Sequence, residues 1–136
     1  MGIPESIYIM SEGYAGCMID MPIMVGKKSF KATAISMGNP HLVIFIDDVD
    51  RIELERVGPM LENNPLFPDR INVEFAQVKN KNSIRMRVWE RNNSIFKEHN
   101  YNNYIQDYFK KILKNALSLL LGLPFRRLQK IRVAIN

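Results

Sequence analysis

The clearest alternation of apolar and polar residues lies in the middle of the first half of the chain. FKATAIS, residues 30–36, alternates with a period of two, which is typical of a β-strand with one buried face. HLVIFI, residues 41–46, is continuously apolar between Gly-Asn-Pro and Asp-Asp, and this predicts a more deeply buried strand. The earlier pattern is weaker. Residues 6–10 and 17–25 are candidates for short strands, with a turn at VGKKSF.

A helix is predicted after the second of these strands. Asp50 is a candidate N-cap, and Glu53, three positions later, completes a capping-box pattern. Gly58 and Pro59 interrupt the apolar stripe, so we expect a kink or two short pieces. The stripe consists of Ile52, Val57, Met60 and Leu61.

Two further strands are predicted from the runs INVEFAQV (71–78) and SIRMRVW (83–89). Both alternate, and the polar KNKN between them predicts a hairpin. The order strand, strand, helix, strand, strand indicates an α+β fold with a mostly antiparallel sheet.

Composition and charge change after Arg91. Residues 92–136 contain 8 Lys and Arg against 2 Asp and Glu, whereas residues 1–91 contain 11 against 12. We therefore divide the chain into 1–91 and a basic tail, 92–136. Apolar residues at helical spacing predict an amphipathic helix at about 101–121, which ends near Gly122 and Pro124. Its apolar run is interrupted by lysines and is too short to span a membrane.

The bulk composition indicates a soluble globular chain of one domain or less. It has 136 residues, of which 46% are hydrophobic and 24% charged. The single cysteine, Cys17, excludes an internal disulfide and favours a reducing compartment. No signal-peptide pattern is visible, so we expect a cytoplasmic protein. Cys17 has no nearby basic residue or helix start to activate it, and an inert buried thiol is the better interpretation.

Five polar residues are candidates for ligand chemistry. Asn39 and His41, beside a Gly-Asn-Pro turn, offer donors and acceptors at the start of a strand. The alternative is that Asn39 only supports the turn and that His41 is a satisfied surface residue. Arg91 and Glu90 could meet the carboxylate and ammonium of an amino acid, or they could be solvated strand ends on opposite faces. Asn72 is unusual at the start of a strand, and it either caps the loop or points at a ligand.

Three segments together resemble the first part of the C-terminal lobe of diaminopimelate epimerase. They are AISMGNPHLVIFIDDVD, ERVGPMLENNPLFPDRINVEFAQV and NSIRMRVWER. GNPH followed by NVEF and then VWER is a specific combination, and the resemblance runs from about residue 19 to residue 91.

The resemblance implies an isomerase that interconverts LL- and meso-diaminopimelate on the route to lysine, with no cofactor and no metal. It implies an incomplete lobe of a two-lobed α/β fold, whose substrate lies between the lobes and whose two cysteines act as acid and base. By motif match, Asn39, Asn72, Glu90 and Arg91 would bind substrate, while His41 and Glu90 would assist catalysis. Positioning and electrostatic stabilisation would supply much of the rate, because an α-proton is a very weak acid.

The sequence also departs from the family pattern. After VWER the family has a glycine-rich stretch and an ACGTG cysteine motif, but NNSIFKEHNYNNY stands in its place. The CGNG motif of the other lobe has no match, and Cys17 does not fit it. We therefore expect the chain to be inactive alone; a separate polypeptide could carry the missing lobe, and the sequence leaves this open.

Three other interpretations of the chain remain open. The tail could be a frameshifted or recombined remnant, although its regular helical period argues against this. The tail helix could bind a partner helix or an anionic membrane, with nucleic acid not expected. The chain could also be non-functional and prone to aggregation, because half a lobe exposes apolar surface.

Overall fold

In the computed structural model, the described part of the chain forms one seven-stranded sheet with two α-helices. The described residues are 18–36, 39–91, 94–95, 103–122 and 132–135. The strands are β1 Met21–Val25, β2 Lys28–Ser36, β3 Pro40–Phe45, β4 Asn72–Asn80, β5 Ser83–Glu90, β6 Ser94–Ile95 and β7 Arg132–Ile135. The helices are α1 Leu54–Glu62 and α2 Asn103–Leu121, with a short 3-10 helix at Val49–Arg51. The predicted α+β class is confirmed.

The sheet is mostly antiparallel, as predicted. Its order is β1-β2-β3-β4-β5, and both β6 and β7 pair with β5. Only β3–β4 and β5–β7 are parallel. Because β3 and β4 run in the same direction and β5 runs against them, the start of β3, the start of β4 and the end of β5 meet at one edge. That edge holds the predicted site residues.

Helices cover both faces of the sheet. The side chains of Leu54, Val57 and Leu61 on α1 belong to one core cluster. A second cluster contains Phe109 and Ile112 of α2, together with residues of β4, β5 and β7. The alternation in β2 predicted one buried and one exposed face, but residues 32–35 are all buried. The reason is that this part of the sheet is covered on both faces.

The start of α1 differs from the capping-box prediction. Asp48 accepts a hydrogen bond from Asp50 N (3.0 Å) and caps the 3-10 helix, whereas Glu53 precedes α1 without a side-chain cap. Asp50 is not a cap, because it lies inside the 3-10 helix; its two carboxylate oxygens bind Arg85 at 2.8 and 2.9 Å.

The predicted division into two short pieces at Gly58-Pro59 is wrong, because Pro59 lies inside α1. The alternative of a kink at this position stays a prediction. A proline in this position removes one hydrogen bond of a nine-residue helix. The two helical pieces are instead separated at residues 52 and 53, between the 3-10 helix and α1.

The hairpin prediction is confirmed with slightly longer strands. β4 and β5 are joined by the two residues Lys81 and Asn82, and Asn80 Oδ1 accepts from Asn82 N at 3.0 Å. The described part of the predicted strand at 17–25 is β1, which begins at Met21. Residues 6–10 and Cys17 lie outside the described residues.

The tail contributes to the same sheet and core. α2 lies close to its predicted position. β6 and β7 were not predicted from the sequence, and both pair with β5. The apolar face of α2 is covered by the sheet, since Ile112, Leu113 and Ala116 are fully buried. None of the described helices is long and apolar enough to cross a membrane.

Candidate functional site

A cavity of about 270 Å³ opens at the edge where β3 and β4 begin and β5 ends. All five predicted site residues line it, so the strand register brings together residues up to 52 positions apart in sequence. The five are Asn39, His41, Asn72, Glu90 and Arg91. Four further residues that the sequence did not single out complete the lining: Glu74, Val88, Tyr108 and Phe109.

His41 and Glu74 form a buried pair at the base of this site. His41 Nδ1 lies 2.6 Å from Glu74 Oε1, and the two side chains are 2% and 0% exposed. The interpretation of His41 as a satisfied surface residue is therefore wrong in its location: the imidazole is satisfied, but it is buried. A carboxylate on one ring nitrogen fixes the orientation of the ring and directs the other nitrogen toward the site.

The other nitrogen of His41 meets two hydrogen-bonding groups. Nε2 lies 2.6 Å from the hydroxyl of Tyr108 and 3.1 Å from Asn39 Oδ1. The Tyr108 hydroxyl in turn donates to Asn39 Oδ1 at 2.9 Å. These three groups form a compact hydrogen-bonded triangle on the cavity wall.

Asn72 ties the site together through its own amide. Its Nδ2 donates to the carbonyl of Pro40 at 3.0 Å, and its Oδ1 accepts from Arg91 N at 2.8 Å. These bonds connect the start of β3 to the residue that follows β5. The odd polar residue at this strand start therefore fixes the positions of His41 and Arg91 relative to each other.

Glu90 and Arg91 do not diverge as an extended strand would require. β5 ends at Glu90, Arg91 is in a turn, and both residues line the cavity. No hydrogen bond or ion pair within the described residues occupies either side chain. The cavity thus has a carboxylate and a guanidinium available in its lining, which are the complements of an ammonium and a carboxylate.

Glu74 and Tyr108 were missed by the sequence interpretation for different reasons. Glu74 lies two residues after Asn72, on the same strand face, and that spacing was a usable signal. One of its oxygens, Oε2, is buried without a hydrogen-bond partner among the described residues. Tyr108 reaches the site only because α2 packs over the sheet, which no local pattern indicates.

The single cysteine of the chain, Cys17, lies outside the described residues. The described part of the site therefore contains no thiol that could transfer a proton. The described residues also contain no group of three His, Cys, Asp or Glu side chains that could hold a metal ion. What the described site offers is polar recognition by buried and partly buried groups.

Comparison with known proteins places this site in a family. The family model described as diaminopimelate epimerase matches residues 33–98, which include all five predicted site residues. Residues 33–98, just under half of the chain, are therefore similar to diaminopimelate epimerases. The resemblance inferred from GNPH, NVEF and VWER is confirmed, and Tyr108 lies beyond the matched segment.

Individual relatives give the same assignment. Diaminopimelate epimerase of Bacteroides thetaiotaomicron is 61% identical over 66 residues, which are 48% of this chain and 25% of that protein. That of Phocaeicola vulgatus is 51% identical over 80 residues, 59% of this chain and 29% of that protein. That of Moorella thermoacetica is 47% identical over 93 residues, 67% of this chain and 33% of that protein. The chain therefore matches a quarter to a third of the length of these relatives.

Proposed function

We propose that this chain carries an amino-acid recognition site for diaminopimelate and that its 136 residues do not by themselves move the α-proton. The observation that supports the proposal is the joint placement of Glu90 and Arg91 on one cavity, within the segment that matches diaminopimelate epimerase. Arg91 would bind an α-carboxylate and Glu90 an α-ammonium. Asn39, His41 and Asn72 would complete the substrate contacts and their support.

The roles of His41 and Glu90 in catalysis are part of the same proposal. Buried against Glu74, His41 is held in one orientation, as a group that assists proton transfer has to be. The proton donor and acceptor themselves would be thiols. The 136 residues contain one cysteine, so a two-thiol mechanism would require a second polypeptide or lobe that supplies the rest. The compartment we propose is the reducing cytoplasm.

Ligand titration tests the recognition half of the proposal. Calorimetric titration with meso-diaminopimelate is expected to show saturable binding. Arg91→Met keeps the length of the side chain and removes its charge, so it should weaken binding by about 10- to 100-fold, as expected for a hydrogen-bonded charge pair. Arg56→Met is a matched control, because Arg56 is exposed on α1 and pairs only with the nearby Glu53. Equal affinities of the two variants would refute the assignment of Arg91.

Isotope exchange tests the catalytic half. The chain incubated with LL-diaminopimelate in deuterated water should show no exchange of the α-proton by NMR. Exchange that disappears in Cys17→Ser would contradict the proposal, since it would mean that one thiol and this cavity suffice.

A further inference from the structure

The Tyr108 hydroxyl lies where a polar ligand atom would have to bind. It contacts both His41 Nε2 (2.6 Å) and Asn39 Oδ1 (2.9 Å), and its side chain lines the same cavity as Glu90 and Arg91. The ring of Tyr108 also packs edge-on against the imidazole, with 5.5 Å between the ring centroids. One residue of α2 therefore covers the cavity-facing atoms of two predicted site residues.

As a result, three of the polar side chains that line the cavity already have hydrogen-bond partners within the protein. Asn39 Oδ1 accepts from the phenol, His41 is engaged on both nitrogens, and Asn72 is engaged through both atoms of its amide. An incoming amino acid finds Glu90 and Arg91 without partners among the residues that the structure describes, but it has to replace an existing contact to reach Asn39 or His41. At Asn39 a ligand ammonium can do so, because it donates to an amide oxygen as a hydroxyl does. At His41 a ligand oxygen is needed, because Nε2 faces the oxygen of a phenol that already donates to Asn39.

The core packing of α2 holds this hydroxyl in position. Phe109, the next residue, is buried in the core cluster that also contains Ile112 and Val88. Helix geometry then directs Tyr108 toward the adjacent cavity instead of the centre of that cluster. The placement is part of the packed structure and not a feature of a surface side chain.

We propose that Tyr108 competes with the ligand: its hydroxyl is an internal substitute for an amino-acid polar group, and ligand binding displaces it from Asn39 and His41. This inference rests on the proposed amino-acid site. It makes Tyr108 a residue that sets ligand affinity and selects ligands that offer a donor to Asn39 Oδ1 and an acceptor to His41 Nε2.

Tyr108→Phe tests the competition directly, because it removes the hydroxyl and keeps the ring. Affinity for meso-diaminopimelate, measured by calorimetry, is expected to rise on the order of 2- to 10-fold, the equivalent of one net hydrogen bond. Thr33→Val is the control: it removes another buried hydroxyl, which accepts from Asp20 N at 3.0 Å and does not line the cavity. It should leave the affinity unchanged.

A measurement on the unsubstituted chain keeps the test independent of how the variant folds. Saturation with meso-diaminopimelate should shift the Tyr108 ring signals and the His41 ring nitrogen signals in NMR spectra. Unmoved Tyr108 signals at saturation would overturn the proposal.

The outcomes separate this inference from the proposed function. If both proteins bind and Tyr108→Phe binds equally or more weakly, the amino-acid site stands and the competition is refuted. Binding by Tyr108→Phe alone supports both statements. If neither protein binds, the amino-acid site is refuted, and so is the competition, because removing the hydroxyl has not opened the site.

Discussion

Gly58 is the position where the structure makes the sharpest prediction about stability. A Cβ added there would lie 2.5 Å from Trp89 Cγ and 2.6 Å from Trp89 Cδ2. The indole has little freedom to retreat, because its Nε1 donates to the buried Glu62 Oε1 at 2.8 Å and its ring is 6% exposed. Glu62 is itself held by Arg70, whose Nη1 lies 3.3 Å from Oε2. Gly58→Ala therefore forces a rigid neighbour to move by roughly 1 Å.

Two opposing effects decide the size of the change. Replacing glycine by alanine inside a helix gains about 1 kcal/mol from backbone propensity. Overpacking a well-filled core costs about 1–3 kcal/mol, and weakening the Trp89–Glu62 hydrogen bond adds about 1 kcal/mol. The clash outweighs the propensity, and we expect Gly58→Ala to lower the free energy of unfolding by about 1–3 kcal/mol.

A double-mutant cycle with Trp89→Ala isolates the clash. Urea denaturation followed by circular dichroism gives the free energy of unfolding for all four proteins. Trp89→Ala alone costs about 3–5 kcal/mol. Sulfate in the buffer stabilises the folded state and offsets this cost, so that the variants stay folded without urea. Without the indole the two closest contacts, at 2.5 and 2.6 Å, are removed and Trp89 Cβ stays at 3.0 Å, so Gly58→Ala should become neutral or stabilising by up to about 1 kcal/mol. An equal cost of Gly58→Ala in both backgrounds would refute the reasoning.

Two further predictions concern charge. Hydrogen bonding to Arg85 holds the pKa of Asp50 below its usual 3.8, so the stabilisation is present above pH 3.8 and is lost as the pH falls below it. The melting temperature of Asp50→Asn should therefore be below that of the unsubstituted chain at about pH 6, with the gap closing at about pH 2; a constant gap would contradict this. Burial, with a contribution from Lys110, lowers the pKa of Lys114 below 10.5, while Asp107 opposes the shift. Because the unfolded chain then binds more protons, the free energy of unfolding rises as the pH approaches 10.5. Lys114→Met should therefore raise the melting temperature near neutral pH. A lower melting temperature of this variant would refute the prediction.

Local sequence patterns predicted those helices, strands and turns whose structure depends mainly on their own residues. The period of two in β2, the bounded apolar run of β3 and the polar turn after β4 are all local signals. The capping-box prediction failed because α1 begins only at Leu54, so Asp50 does not precede it; Asp50 instead binds Arg85, 35 positions away in sequence, through both carboxylate oxygens. A spacing of three residues carries no information about such a distant partner.

The site was predicted only in part for the same physical reason. Motifs identified Asn39, His41, Asn72 and Arg91. They did not identify Glu74 and Tyr108, which complete the hydrogen bonding of His41 and Asn39. Glu74 is an ordinary polar position in an alternating strand until two-sided burial removes water from it. Tyr108 is one aromatic residue among several in a helix, and only tertiary packing distinguishes it.

The packing of the tail bears on the hypothesis that it is an accidental remnant. Three consecutive positions of α2 relate to different surroundings: Asp107 is exposed, Tyr108 contacts His41 and Asn39, and Phe109 is buried in the core. An unselected segment has no reason to match the sheet beneath it in apolar spacing and also to place a hydroxyl on two polar atoms. The same segment lies outside the residues that match the family. The combination favours a tail that evolved with this sheet instead of a remnant attached to it.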